Sequence, residues 1–150
     1  MILDKCVLHS ILAILSQIGL FLSGLGGGTY LLIKKGGLNS ESKIFLAKNQ
    51  HKFNLICLII SFVFLTAALV VGFLQAKKLW DVYWGWDVKQ IGSIILWLYY
   101  FTAILVIGWH GFFKTKKTAY IVSLFALSGI VLMSINIFIL NIFSKLHRYL

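Results

Sequence analysis

The residues best equipped for chemistry stand in one short run, Trp80-Asp81-Val82-Tyr83-Trp84-Gly85-Trp86-Asp87-Val88-Lys89, with three tryptophans, one tyrosine and two aspartates among ten positions. Indole and phenol rings offer broad apolar faces with a hydrogen-bonding edge, so the cluster suits a flat aromatic ligand held by stacking. The other candidates are the four histidines, His9, His51, His110 and His147. Neutral imidazole is the commonest side-chain metal ligand, and two of them on opposite sides hold a heme iron in six-coordinate form. Nothing points to hydrolysis. Asp87 reads as an acceptor for the loop backbone or an indole N–H, a structural role and not that of an acid or base. Cys6 and Cys57 form no Cys-x-x-Cys pair and fall toward opposite membrane faces, which excludes an intrachain disulfide and leaves them as packing residues.

The elements that must position these groups are set by composition. Hydrophobic residues make up 60% of the 150, charged residues 12%, and the mean hydropathy is +0.93. A soluble domain of this size would lack the polar surface to cover itself, so the chain is an all-α integral membrane protein. Four uncharged runs, about Val7–Ile33, Phe53–Leu74, Ile91–Phe113 and Ala119–Phe143, are long enough to cross a hydrocarbon core of about 30 Å at roughly 1.5 Å per residue. This predicts four transmembrane helices in a single domain, 1–150, with the tryptophan-rich loop, about residues 75–90, joining helices 2 and 3. Asp4 beside Lys5, and a span that runs past Gly26–Gly28 without a small-residue cleavage pattern, argue against a cleaved signal peptide.

A net charge of +10 is in this setting a matter of loop asymmetry and gives no reason to expect nucleic acid. Lys34, Lys35, Lys43, Lys48 and Lys52 crowd the first connection, and Lys114, Lys116 and Lys117 the third, which predicts that both face the cytoplasm. Both termini and the tryptophan loop then lie on the outer face. His9 and His147 fall on that face as a candidate axial pair, with Lys77, Lys78, Lys89 or Arg148 as charge partners for heme propionates. His51 and His110 fall at the inner face, where His51 reads as a solvated residue among lysines. The connection Lys34–Lys52, with Gly36-Gly37, is the only one with room for an extra short helix. Gly19, Ser23 and Gly27 form a small-residue stripe for close helix packing, and Gln17, Asn136 and Asn141 are read as interhelical hydrogen-bonding residues.

The tryptophan run resembles the signature of the cytochrome c assembly proteins of the CcsA/ResC and CcmC type, the "WWD" heme-handling segment. Its pattern, roughly Ala-x-x-x-Trp-Gly-x-Tyr-Trp-x-Trp-Asp-Pro-Lys-Glu with a tryptophan in the next helix, is met by Ala76, Trp80, Tyr83, Trp84, Trp86, Asp87, Lys89 and Trp97. The Tyr-Trp-x-Trp-Asp-x-Lys form favours the CcsA branch over CcmC or CcmF. Val7-Leu8-His9 resembles the family's His-led helix and Leu146-His147-Arg148-Tyr149 its terminal Leu-His-Ser-Tyr, so nearly the whole chain is covered. By this resemblance His9 and His147 are the outer ligands of heme b iron and Trp84, Trp86 and Asp87 shape the platform; Trp80, Tyr83 and Lys89 are further candidates for contact with heme, although Trp80 taken alone reads as an interfacial anchor.

The resemblance further implies presentation of heme for covalent attachment to apocytochrome c at a Cys-x-x-Cys-His segment, beside a ResB/CcsB-type membrane partner and thiol-disulfide reductants. It places the protein in a bacterial inner or plasma membrane, or a thylakoid membrane. A share in a heme lyase, carriage of heme to a separate synthetase, and a non-heme accessory subunit all remain open on these residues. The departures are Asp81 for the usual glycine, Val88 for proline and Gln90 for glutamate; Gln90 removes a carboxylate. The intramembrane histidine of larger relatives falls on Leu105 counted from Asp87, and near His110 counted from His147. His110 is thus either a displaced ligand or a polar residue at the inner interface.

Overall fold

The computed structural model describes the backbone of residues 2–36, 40–81, 88–112 and 118–146, and side chains over 7–36, 41–42, 44–78, 81, 90–109 and 118–139. Four helices make up these residues: α1 (Ile2–Lys35), α2 (Ser40–Trp80), α3 (Val88–Phe112) and α4 (Thr118–Leu146). Each contains a segment long and apolar enough to cross a membrane, Val7–Lys35, Ile44–Lys78, Gln90–Trp109 and Thr118–Ile139, and the chain is an integral membrane protein. Ile14, Ile18, Phe21, Ile60, Val63 and Val131 are exposed around the outside of the bundle. In lipid such residues face acyl chains while each helix satisfies its own backbone groups.

α1 packs most extensively on α2 and also meets α4; α3 meets α4 and, most sparingly of all, α2, with a similarly small contact between α2 and α4. Neighbours run antiparallel, since rising positions on α1 meet falling ones on α2: His9 pairs with Ala68, Gly19 with Ser61, Ser23 with Asn54. One end of the bundle therefore carries the tryptophan segment and the other the lysine-rich connections.

α2 is longer than the sequence suggests. Its 41 residues span roughly 60 Å, taking in Lys43, Lys48 and Lys52, so the extra helical segment foreseen in the Lys34–Lys52 connection is the first part of α2 itself. Residues 41–52 are mostly good helix formers with no glycine or proline, and Glu41 sits favourably in the first turn. At the other end Gln75-Ala76-Lys77-Lys78 continues the helix, which shortens the tryptophan connection from 75–90 to 81–87. Asp81 ends α2 with φ 55°, the left-handed conformation that suits glycine and that Asp tolerates at a helix C-terminus. Lys77 Nζ ties it down, donating to Asp81 Oδ1 at 2.8 Å and to its carbonyl at 3.0 Å.

The core of the bundle is small and tightly drawn. Leu20, Leu58, Tyr100, Ala103, Val122 and Ala126 are fully buried. A Cβ at Gly19 would collide with the Ser61 hydroxyl, and one at Gly27 would lie 2.6 Å from the Ser123 carbonyl. Gly19, Ser23 and Gly27 are therefore not one stripe: the first two face α2 and the third faces α4. Four residues advance a helix by about 400°, so a four-residue spacing drifts about 40° each step, enough over two steps to turn from one neighbour to the next. Ser23 Oγ donates to Asn54 Oδ1 at 2.6 Å, both side chains fully buried. Asn54 thus joins the interhelical polar residues, overlooked because it stands one residue inside an apolar run. His51 is corrected likewise: it lies on α2, half-buried, its ring 6.5 Å from that of Tyr30 and its Nδ1 without a partner among the described residues.

Candidate heme-ligand site

His9 lies on α1 seven residues in from the helix start, facing α2. Its Nδ1 stands 2.9 Å from the carbonyl oxygen of Ala68. A carbonyl can only accept, so Nδ1 carries the proton, and in the neutral ring the Nε2 lone pair is the one offered to a metal. Ligating histidines commonly hold their second nitrogen this way, through a backbone carbonyl or carboxylate, so the residue present fits an iron-bound imidazole. One turn beyond Ala68, Gly72 leaves the space that the ring occupies: a Cβ there would lie 3.0 Å from His9 Cε1 and 3.3 Å from Nδ1.

The level of this imidazole follows from register. Ala68 and Gly72 precede Trp80 by twelve and eight positions, so the ring lies roughly 12–18 Å short of the tryptophan end of α2. Across the bundle, Trp97 fixes α3 against α2. Its Nε1 donates to Thr66 Oγ1 at 2.9 Å, and Thr66 Oγ1 in turn donates to the Phe62 carbonyl at 2.8 Å. The indole joins Phe62 and Phe101 in a three-ring cluster, its centroid 5.6 and 5.0 Å from theirs and the two phenyl rings 6.3 Å from each other. An apolar cavity of about 250 Å³ lies beside the stack, lined by Leu69, Val70, Phe73, Ile94 and Leu98 with Trp97. A second, of about 270 Å³, lies between the tryptophan-end parts of α3 and α4, with Gly92 and Asn136 among its lining. Asn136 thus sits at a helix–helix seam, its amide against Gly92.

Of the other site residues foreseen, Trp80 ends α2 and Lys89 is in the first turn of α3, which brings both to the tryptophan end, though their side chains are outside the described residues. Tyr83, Trp84, Trp86, Asp87 and His147 lie outside the described residues altogether. His110 is on α3, thirteen residues beyond Trp97 toward the lysine end, hence roughly 20 Å down the helix and well separated from His9. Among the described residues no group of three or more His, Cys, Asp or Glu side chains gathers as a metal site. The sequence reading missed the acceptor and the space that hold His9. A backbone carbonyl has no signature of its own; Gly72, a lone glycine in a strongly apolar span, was the one available sign.

Comparison with known proteins bears on what this geometry serves. Residues 4–147 match the family model described as cytochrome C assembly protein. The chain is 28% identical over 138 residues to the cytochrome c biogenesis protein CcsA of Microcystis aeruginosa, an alignment covering 87% of this chain and 40% of the relative. It is 25% identical over 139 residues to the CcsA of a Synechococcus strain, covering 85% and 41%. To the CcsA of Welwitschia mirabilis it is 37% identical over 70 residues, 45% of this chain and 22% of the relative. Alignments that take in most of this chain thus span about two fifths of the relatives' length. No solved structure matches.

Proposed function

The chain belongs to the cytochrome c assembly protein family, and from this premise we propose that it holds heme at the outer face of the membrane and presents it for covalent attachment to apocytochrome c. The observation that carries the reading is the seat of His9: an imidazole turned by the Ala68 carbonyl so that Nε2 is the ligand atom, on the half of the bundle that leads to the tryptophan segment.

In this reading His9 and His147 supply the axial imidazoles for heme b iron. Trp84 and Trp86 form the platform against the ring, flanked by Trp80 and Tyr83, with Asp87 holding the loop and Lys89 near the propionates. His110, at the far end of α3, belongs to a separate inner position. Heme is cargo here: its iron accepts the two imidazoles and its vinyl groups accept the thiols of a Cys-x-x-Cys-His segment. The histidine of that segment displaces one axial ligand and aligns the two thiols. Each S–H then adds across a vinyl double bond, sulfur bonding one carbon and hydrogen the other. The thiols must be reduced, which makes thiol-disulfide reductants partners. A ResB/CcsB-type membrane protein is the proposed companion. The lysine-rich end faces the cytoplasm by charge asymmetry, placing the tryptophan segment and both termini outside, in a plasma or thylakoid membrane.

The test is the absorption spectrum of detergent-purified protein, oxidised and reduced, beside His9→Ala and His147→Ala. A six-coordinate heme signal altered in both variants is expected. Absence of heme from well-folded protein produced in heme-replete cells, with the partner co-expressed, would overturn the reading in favour of an accessory subunit. Heme-loaded protein that yields no covalent product beside that partner and a cytochrome c reporter would identify a carrier instead.

A further inference from the structure

We propose that Gly72 and the Ala68 carbonyl together are the positioning elements of His9, the first making the space for its ring and the second fixing its tautomer. The inference rests on the ligand role given to His9 above, yet it concerns geometry that exists before any heme arrives.

Free histidine in water favours the tautomer with the proton on Nε2, which would leave the wrong nitrogen for an iron ahead of the ring. The 2.9 Å bond from Nδ1 to the Ala68 carbonyl reverses that preference. This bond can form only if the ring lies against α2, and Gly72, four residues on and on the same face, is what permits it. With a methyl group at 72, Cε1 and Nδ1 would be 3.0 and 3.3 Å from the new carbon, inside the usual carbon–carbon separation of about 3.5–4.0 Å. The ring would have to withdraw, and the bond to Ala68 would lengthen as it did so.

The kind of acceptor also matters. A carboxylate behind a ligating imidazole raises its basicity and strengthens its hold. Here the acceptor is a neutral backbone carbonyl, so His9 is oriented without being made a strong donor. A site that must give up its iron position to an incoming histidine needs such a ligand: aimed, neutral and replaceable.

The experiment uses the full chain in detergent, free of heme and labelled with ¹⁵N-histidine, with His9→Gln to assign the signal. The expected result is a His9 whose neutral form carries its proton on Nδ1 in the native sequence, moving toward Nε2 in Gly72→Ala. Gly108→Ala, whose added carbon meets nothing within 4 Å, should leave the signal unchanged. Protonation on Nε2 in the native protein would overturn the proposal without recourse to any variant, and so would a Gly72→Ala protein that keeps the native tautomer. Because these readings are made without heme, they separate the two ideas: an Nδ1-protonated His9 in a protein that never takes up heme would count against heme presentation, not against the seat.

Discussion

The seam between α1 and α2 and the seam between α2 and α3 are built on opposite principles. In the first, Gly19 and Ser23 bring two backbones so close that a single methyl group collides, and a buried hydroxyl–amide bond clasps them. In the second, the helices stand apart on a stack of large rings, Phe62, Trp97 and Phe101, with one indole hydrogen bond and an apolar cavity of about 250 Å³ alongside. The difference maps onto the proposed site. His9 and the carbonyl that orients it lie across the tight seam, while the tryptophan segment leaves α2 and enters α3, the two helices of the loose one. On the proposed reading, a ligand held at the tight seam would face helices that meet only loosely, which suits a flat cargo that must be gripped and then released.

The contrast can be broken most severely at Gly19. Gly19→Leu should destabilise the protein by about 3 kcal/mol or more, since overpacking costs roughly 1–3 kcal/mol even where neighbours can yield; unfolding of the detergent-solubilised protein by SDS titration measures it. Ser23→Ala leaves the spacing and removes the clasp, for an expected loss of about 1 kcal/mol, the usual scale of an interhelical hydrogen bond in a membrane. Trp97→Phe keeps a ring in the stack and loses only the bond to Thr66, with an expected loss of about 0.6 kcal/mol, and with faster amide exchange in α3 than in α1. Filling the void should be nearly free: Ile94→Phe is expected to change stability by less than about 0.5 kcal/mol, where the same enlargement in a packed core is costly. A loss at Ile94 as large as that at Gly19 would erase the distinction between the seams.

The spans themselves were plain in the sequence, because four long uncharged runs admit one reading in lipid. The family signature marked the tryptophan segment, and its departure at Asp81 became intelligible once φ showed a turn that glycine or aspartate can make. What stayed hidden depends on helix rotation and backbone groups. Whether Gly27 faces α2 or α4 follows from a drift of about 40° per four residues, which spacing alone does not assign to a partner. Asn54 was lost against an apolar background that made its neighbourhood look like ordinary span. The start of α2 was misplaced because charge was taken to end the helix, although charge ends only the part of it that lies in hydrocarbon.

That last distinction sets a depth. α2 carries Lys52 and Lys77 on one continuous helix, twenty-five residues apart, or roughly 37 Å, against a hydrocarbon core of about 30 Å. Two ammonium groups so spaced bracket the core with about 7 Å to spare, so sliding farther than that in either direction would draw one of them into oil. Gly72, and with it the ring of His9, lies five residues below Lys77, roughly 7 Å beneath the level of that charge. The imidazole proposed as a ligand is thereby held close beneath the waterline, shallow enough for a partner at the surface to reach.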